Sequence, residues 1–233
     1  MNDPRPSPND SELVPIRRNW LEQVSHPGDE LDQLALLESG KRSRAGAVVS
    51  VLQIDCGNAF LGLQLARNGA QVLAVDQNAQ TGAPLQEAAI ALGVTRNFRF
   101  QVWNPEYCLD TTPLPGAPFD IVVCPHSLSL MPYSHAHNLL RRLALMVRIG
   151  GKFFISAYGL HSDLSDGYSD ENQPVRQRFS LLTPVVAKKY GIKQAVCLYS
   201  ERDLFLLLFE AGLSVVKTFS TTHGNVKAIA VRV

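Results

Sequence analysis

The chain lacks a long apolar segment, a strong excess of either charge and a paired cysteine motif. No run approaches the roughly 18 apolar residues that predict a membrane-spanning helix, so no membrane contact is expected. Lysine and arginine number 22 against 21 aspartates and glutamates, a net charge of +1. This balance gives no reason to expect nucleic acid as a partner. The four cysteines stand singly, which favours a reducing, cytoplasmic setting.

Metal-ligand spacing is also missing. His135 and His137 are two residues apart, whereas paired ligands on one helix face stand at i and i+4. We therefore expect no metal site.

The stretch over residues 48–76 organises the rest of the chain. A near-continuous apolar run predicts a strand buried on both faces, and Gly57 predicts a tight turn after it. A helix follows over 60–68, and a second buried strand ends at Asp76. A parallel β-α-β unit of this kind binds ligands at the carboxyl ends of its strands.

Composition divides the remaining chain into a few parts. Within the N-terminal cap, Asp29 is a predicted N-cap, and the basic residues 40–46 are a predicted connector into the first core strand. The predicted parts are a disordered, Pro-rich tail over residues 1–15, an N-terminal helical cap over 16–46, a main domain over 47–233, and a lid insertion at about 158–190.

Further elements alternate along the main domain. Alternation predicts a strand over 98–103, and further strands are predicted over 119–124 and 152–157. A helix is predicted over 82–92, and an amphipathic helix over 134–147. A last helix is expected after Ser200, which forms an approximate capping box with Asp203. The short connection over 221–225 contains a glycine and predicts an antiparallel terminal hairpin.

Four segments in this order resemble the class I S-adenosylmethionine-dependent methyltransferases. VLQIDCGNAFLGLQLARNGAQVLAVD is similar to the first motif of that family, and FDIVVC resembles its fourth-strand motif. LLRRLALMVRIGGKFFIS and SERDLFLLLFEAGLSVV are similar to the elements around its fifth and sixth strands. The resemblance implies an α/β, doubly wound, seven-stranded and mostly parallel sheet with an antiparallel last strand, helices on both faces, and an N-terminal helical cap.

The resemblance also implies S-adenosylmethionine as cofactor, bound over the first and fourth strands. Gly57 would then let the backbone approach the methionine part, and Asp76 would hold the ribose hydroxyls. Asn104 stands where the family often has an acid that contacts the adenine amine. The residues expected at the cofactor are Gln53, Asp55, Gly57, Asp76, Gln77, Asn104 and Cys124, with His126 near the transferable methyl group.

The first motif departs from the family pattern at three positions. Gln53 stands where the family has an acid, and Asp55 and Ala59 stand where it has glycines. Two hypotheses follow. Residues two apart on a strand share a face, so Asp55 can take over the ammonium that an acid at position 53 would serve. Alternatively, normal cofactor binding is lost and the protein is a non-catalytic scaffold or regulatory partner subunit.

Methyl transfer to a small-molecule acceptor is the leading functional hypothesis. This chemistry needs positioning and exclusion of water, with an optional general base, for which His126 is the candidate. A protein partner or a homodimer would use the N-terminal helices, where Trp20, Leu21 and Leu34 are the apolar candidates. A nicotinamide dehydrogenase fits poorly, because no G-x-G-x-x-G follows Ile54.

Overall fold

The computed structural model describes residues 29–104 and 113–233. The predicted tail over 1–15 and the first cap helix, with Trp20 and Leu21, lie outside these ranges, as do residues 105–112. Within the described ranges, no helix has the length and apolar character needed to cross a bilayer.

A seven-stranded sheet forms the centre of the molecule, with strand order β3-β2-β1-β4-β5-β7-β6. Strands β1 to β5 pair in parallel. Strand β7 is antiparallel to both of its neighbours, β5 and β6, so the predicted terminal hairpin and antiparallel last strand are confirmed. The strands are β1 (Ser50–Ile54), β2 (Gln71–Asp76), β3 (Phe98–Val102), β4 (Phe119–Pro125), β5 (Val147–Ala157), β6 (Ser214–Ser220) and β7 (Val226–Val231).

Helices cover both faces of the sheet. On one face α1, α2 and α3 share an apolar cluster with alternate strand residues, and on the other α4 and α6 do the same. Ser200 and Asp203 form the predicted capping box at the start of α6. The helices are α1 (Glu30–Arg44), α2 (Phe60–Arg67), α3 (Gly82–Ala91), α4 (Tyr133–Leu145), α5 (Pro184–Tyr190) and α6 (Glu201–Glu210).

Helix α1 begins as predicted and ends later than predicted. Asp29 is its N-cap, with the side chain accepting from the backbone of Leu31 and Asp32. The prediction of a connector over residues 40–46 is wrong, because the helix continues to Arg44. Arg42 explains the extension: its guanidinium bonds Glu38 at 2.8 Å and the carbonyl of Gly150 at 2.6 Å. Basic residues in the last turn also suit the negative end of the helix dipole.

The chain between β5 and α6 packs on a small apolar core of its own, formed by five buried residues. Arg178, which is 7% exposed, donates to the carbonyls of Gln173 and Leu198 within this segment and to Asp203, which joins the segment to α6. The predicted role of residues 158–190 as a lid stays a prediction. The five core residues are Leu164, Tyr168, Leu182, Val196 and Leu198.

Two glycines fix where this segment begins. A Cβ atom built at Gly159 would overlap the carbonyl oxygen of Gly224, in the turn between β6 and β7. A Cβ atom at Gly224 would in turn overlap the carbonyl oxygen of His161. Backbone therefore lies directly against backbone at this contact, and no other residue type fits without movement of the main chain.

Candidate active site

The turn after β1 keeps a left-handed backbone at three alternate positions. Asp55, Gly57 and Ala59 have φ values of 44°, 49° and 47°. For a residue with a side chain this conformation costs roughly 1–2 kcal/mol, with Asp tolerating it better than most. The turn therefore holds a conformation that glycine adopts most easily, although only one of the three residues is glycine. Among the described residues, no atom lies within 4 Å of a Cβ atom built at Gly57.

Asp55 directly follows β1, at the sheet edge where Ser127 follows β4. The Ser127 hydroxyl donates to the carbonyl of Pro125 at 3.4 Å. Burial raises the pKa of the Asp55 carboxyl, the neighbouring Ser127 opposes that rise, and the nearby Asp76 charge adds to it. Asp55 is therefore a partly desolvated acid that a nearby cation would favour in its charged form.

The end of β2 carries the second acid of the site. Asp76 accepts from the backbone N–H of Gly57 at 3.0 Å and from that of Asn78 at 2.9 Å. Beside it, the Asn104 amide donates to Gln77 Oε1 at 3.4 Å. The structure thus brings Asp55, Gly57 and Asp76 together, and places Gln77 beside Asn104 at the neighbouring strand ends.

Two further candidates have side chains in the core. Gln53 is 4% exposed, and its Oε1 occupies the space that a side chain at Gly62 of α2 would need. This oxygen is buried and has no hydrogen-bond partner among the described residues. Cys124 is fully buried, and burial raises the pKa of its thiol to about 12. Neither side chain reaches the open edge of the sheet, and their roles at the cofactor stay predictions.

His126 follows β4 with a left-handed backbone, at φ 55°. The backbone N–H of His126 donates to the carbonyl of Ser156 on β5 at 2.9 Å. The imidazole stacks on Tyr158, with ring centroids 4.6 Å apart and planes 16° apart. Its Nδ1 is buried and has no hydrogen-bond partner within residues 29–104 and 113–233. Burial lowers the pKa of His126, so the ring is held neutral and keeps one nitrogen as a proton acceptor.

A buried ion pair joins the last strand to the start of α1. Lys227 of β7 is 3% exposed, and its Nζ is 2.7 Å from Asp29 Oδ2. Asp32, one turn into α1, is partly desolvated: burial, helped by the Asp29 charge, raises its pKa to about 6. Asp29 raises and Lys227 lowers the pKa of His126, both less than burial does.

Sequence reasoning missed Ser127 and Lys227. Ser127 immediately follows a predicted site residue, and that adjacency was the available signal. Lys227 is the one charged residue in an otherwise apolar strand, VKAIAV, which is unusual for an inward position. Within the predicted lid, Tyr168 is buried and donates to the Val196 carbonyl, and Asp163 accepts from Tyr190 at 2.6 Å.

The sheet order, the antiparallel β7 and the edge formed by β1, β2 and β4 together define the class I, Rossmann-like methyltransferase fold. Solved structures share it. The magnesium protoporphyrin IX methyltransferase of Synechocystis, solved with bound SAH, aligns over 92% of this chain and 94% of its own with a TM-score of 0.58 and 18% identity. The CcbJ methyltransferase of Streptomyces caelestis aligns over 89% and 91%, with a TM-score of 0.63 and 16% identity.

Comparison of the sequence with known families and proteins also gives methyltransferases. Residues 51–151 match the family described as "Methyltransferase domain". The ubiquinone biosynthesis O-methyltransferase of Aeromonas salmonicida is 31% identical over 106 residues, which is 46% of this chain and 42% of that protein. The aligned part thus spans less than half the length of that relative. The resemblance is confirmed as far as these comparisons reach: residues 51–151 match a methyltransferase domain, and the fold is the one that S-adenosylmethionine-dependent methyltransferases share.

Proposed function

We propose that this protein transfers a methyl group from S-adenosylmethionine to an oxygen atom of a small-molecule acceptor. One observation carries the proposal: the turn after β1 is left-handed at Asp55, Gly57 and Ala59 and hydrogen-bonds the Asp76 carboxylate. Holding two non-glycine residues in this conformation costs stability, and a ligand site accounts for that cost. The oxygen acceptor is supported by the relatives named as O-methyltransferases.

The residues at the strand ends suit the parts of the cofactor. In this proposal the turn at Gly57 approaches the methionine part, Asp76 accepts hydrogen bonds from the ribose hydroxyls, and Gln77 with Asn104 serves the adenine amine. Bound S-adenosylmethionine supplies an activated methyl group on a positively charged sulfur. The chain's own residues therefore have to position the acceptor and exclude water.

Asp55 is the proposed partner of the methionine ammonium group. Its carboxyl is desolvated and feels the charge of Asp76, and a cation beside both acids offsets that repulsion. An acid at position 53 is absent, and the Gln53 oxygen is buried against α2. A shift of the acid from position 53 to position 55 keeps the charge-assisted hydrogen bond at the same strand end.

His126 is the proposed general base. Its imidazole is buried beside Tyr158, and Nδ1 has no partner among the residues described. In its neutral form the ring accepts the proton that the acceptor hydroxyl loses as its oxygen takes the methyl group. The proton then passes from the imidazole to water when the product leaves.

A small-molecule acceptor fits the net charge of +1 better than a nucleic acid does. A cytoplasmic setting is supported by the free thiols of the three described cysteines. A non-catalytic scaffold is the weaker alternative, since the matched family and relatives are named as methyltransferases. A protein partner on the N-terminal helices also stays a proposal. Leu34, one of its candidates, packs against the core as a partly buried residue.

Calorimetric titration of the full chain with S-adenosylmethionine and S-adenosylhomocysteine tests the cofactor part. We expect saturable heat for both ligands and weaker binding in the Asp76→Asn variant. Release of S-adenosylhomocysteine in the presence of a panel of small phenols and alcohols tests the transfer itself. No heat and no thermal shift at millimolar ligand would overturn the proposed function.

A further inference from the structure

We propose that the amino edge of the sheet docks on the surface of an anionic lipid bilayer. The amino-edge surface combines exposed aliphatic and basic side chains just before β1, at the start of β5 and near the ends of α1 and α4. It lies at the edge of the sheet opposite the candidate active site, so the proposal goes beyond the proposed methyl transfer. Its members are Lys41, Arg44, Val48, Arg141, Leu145, Arg148 and Ile149.

Hydrogen bonds from two arginines hold the parts of this surface together. Arg42 of α1 donates to the carbonyl of Gly150 at 2.6 Å, and its own carbonyl accepts from the N–H of Ala47 at 3.3 Å. Arg232, after β7, donates to the carbonyl of Leu145 at 3.3 Å, and its own carbonyl accepts from the N–H of Gly150 at 2.7 Å. Gly150 is therefore the common neighbour of the ends of α1 and α4 and of the segment that leads into β1.

Three aliphatic side chains protrude from the surface. Ile149 is 80% exposed, Leu145 75% and Val48 70%. Ile149 lies in a bulge, because residues 148–151 of β5 stand opposite the single residue Asp120 of β4. One exposed aliphatic side chain is ordinary, but three around one bulge present apolar area that a partner would remove from water.

The exposed charges around these side chains are basic. Arg44 and Arg141 are exposed, and the Arg148 side chain is 48% exposed. Glu38 and Asp120, the acids beside them among the described residues, have side chains that are 11% and 6% exposed and held in ion pairs. The first turn of α1, at the other edge, is acidic. The net charge of +1 therefore conceals a separation of charge between the two edges.

The helix dipole accounts for only part of this pattern. Basic residues favour helix C-termini, and Lys41, Arg44 and Arg141 lie near such ends. Arg148 lies in β5 instead, and a helix dipole gives no reason for exposed aliphatic side chains. Contact with an anionic, partly apolar partner accounts for both kinds of residue.

An anionic bilayer matches this combination best. Lysine and arginine are attracted to its surface, and aliphatic side chains enter the headgroup region. Fluid lipid accommodates separate protruding side chains, whereas a protein partner needs a complementary packed surface. Binding of single-stranded nucleic acid relies on aromatic stacking, and the protruding side chains here are aliphatic. The expectation of no membrane contact rested on the lack of a spanning segment, which docking of this kind does not need.

Co-sedimentation of the full chain with lipid vesicles tests the proposal. We expect binding to vesicles made of equal parts of phosphatidylcholine and phosphatidylglycerol, and none to vesicles of phosphatidylcholine alone. High salt should release the protein, because it screens exposed charges. Absence of binding to the anionic vesicles at low salt would overturn the proposal.

A pair of double variants locates the contact. Arg44→Gln with Arg141→Gln should weaken vesicle binding about 25-fold, since each basic residue near the surface contributes about 5-fold. Lys188→Gln with Arg202→Gln is the matched control, because it removes the same charge from exposed positions on α5 and α6. The control should bind within about 2-fold of the wild type. Equal losses in both double variants would mean that net charge alone decides, and docking by this surface would be wrong.

The aliphatic part has its own test. Ile149→Ser should weaken vesicle binding about 10-fold, and Val185→Ser on α5, where the side chain is 79% exposed, is the control. Unchanged binding in Ile149→Ser would contradict insertion. Binding of single-stranded RNA without binding of vesicles would assign the surface to nucleic acid and overturn the proposal. Affinity for S-adenosylhomocysteine should be unchanged in every variant, so failure here is distinguishable from failure of the proposed methyl transfer.

Discussion

At the amino edge of the sheet, where β1 and β4 begin, the buried Asp120 carboxylate accepts from the Ser50 backbone at 2.8 Å and from Arg148 at 3.2 Å. At the carboxyl edge, Asp55 is desolvated and His126 Nδ1 has no partner among the described residues. The first arrangement satisfies its charges within the protein and stabilises the fold. The second arrangement leaves polar groups to which a bound ligand could supply hydrogen bonds or an opposite charge. This contrast between the two edges is the reason to look for the site at the carboxyl edge.

Helix α1 reaches both edges and carries the same contrast along its length. Burial tends to raise the pKa of Glu38, but bonds from Lys152 and Arg42 outweigh it, so the pKa is lowered. Asp32, near the carboxyl edge, has its pKa raised to about 6 by burial and by Asp29. One helix therefore holds a stabilised acid at one end and a destabilised acid at the other.

The largest effect is expected from Asp120→Ala at the amino edge. Removing one partner of a buried charge network leaves Arg148 and the Ser50 backbone without their acceptor, and this costs about 3–5 kcal/mol in the free energy of unfolding. Chemical denaturation measures it. The affinity of the remaining folded protein for S-adenosylhomocysteine should be unchanged, and a matching loss of affinity would contradict the separation of the two edges.

His126→Gln should lower kcat about 100-fold, the lower end of the range for a general base, with a smaller change in KM. The measurement is steady-state release of S-adenosylhomocysteine with an accepted hydroxyl substrate. Tyr158→Phe keeps the stacked ring and is the matched control, with activity expected near that of the wild type. Full turnover in His126→Gln would remove this residue from the reaction.

Asp55→Gly should separate stability from binding. Glycine relieves the left-handed strain at φ 44°, and we expect a gain of about 1 kcal/mol in unfolding free energy. Loss of the charge-assisted bond to the methionine ammonium should weaken S-adenosylmethionine binding about 10-fold or more. Asp55→Asn keeps the size and should weaken binding without the gain in stability. Tighter binding in the glycine variant would exclude a role for the Asp55 carboxylate.

The smallest effects compare the two acids of α1. A lowered pKa contributes stability above the unfolded pKa that is lost as pH falls, so Glu38→Gln should cost about 0.5 kcal/mol at pH 7 after allowance for solvent screening. A raised pKa means that native Asp32 binds more protons, so stability falls as pH rises from about 4 to about 6. Asp32→Asn should therefore gain about 1 kcal/mol at pH 7. Thermal melts at pH 4, 6 and 8 check both signs.

Most of the fold was accessible from sequence because the signals are local. Apolar runs such as Val72–Val75 identify strands, and Gly69, at φ 91°, ends α2 as its position predicts. The late end of α1 was not accessible, since it depends on the contact between Arg42 and the carbonyl of Gly150. A run of basic residues looks the same in a solvated loop and in a helix whose last turn bonds a distant strand.

The site was only partly accessible for a related reason. Sequence reasoning named Asp55 and Asp76, and one of its two hypotheses gave Asp55 the cofactor's ammonium. It did not predict the left-handed backbone of Asp55, because a side chain type does not reveal the sign of φ. The pairing of Lys227 with Asp29 spans nearly the whole described chain, and nothing local at either residue indicates it. Contacts of this kind follow from strand register, which is known only once the sheet is assembled.

The backbone contact between Gly159 and Gly224 restricts which segments of this chain can be exchanged with those of another protein. A chimera in which the segment after β5 is exchanged would test its predicted role as a lid. In this chain that segment starts against the β6–β7 turn with no space for a side chain. A chimera that replaces residues 158–200 must therefore inherit its hairpin from the same donor, or retain both glycines. Residues 158–200 and the β6–β7 hairpin are separate in sequence, but they have to be exchanged together.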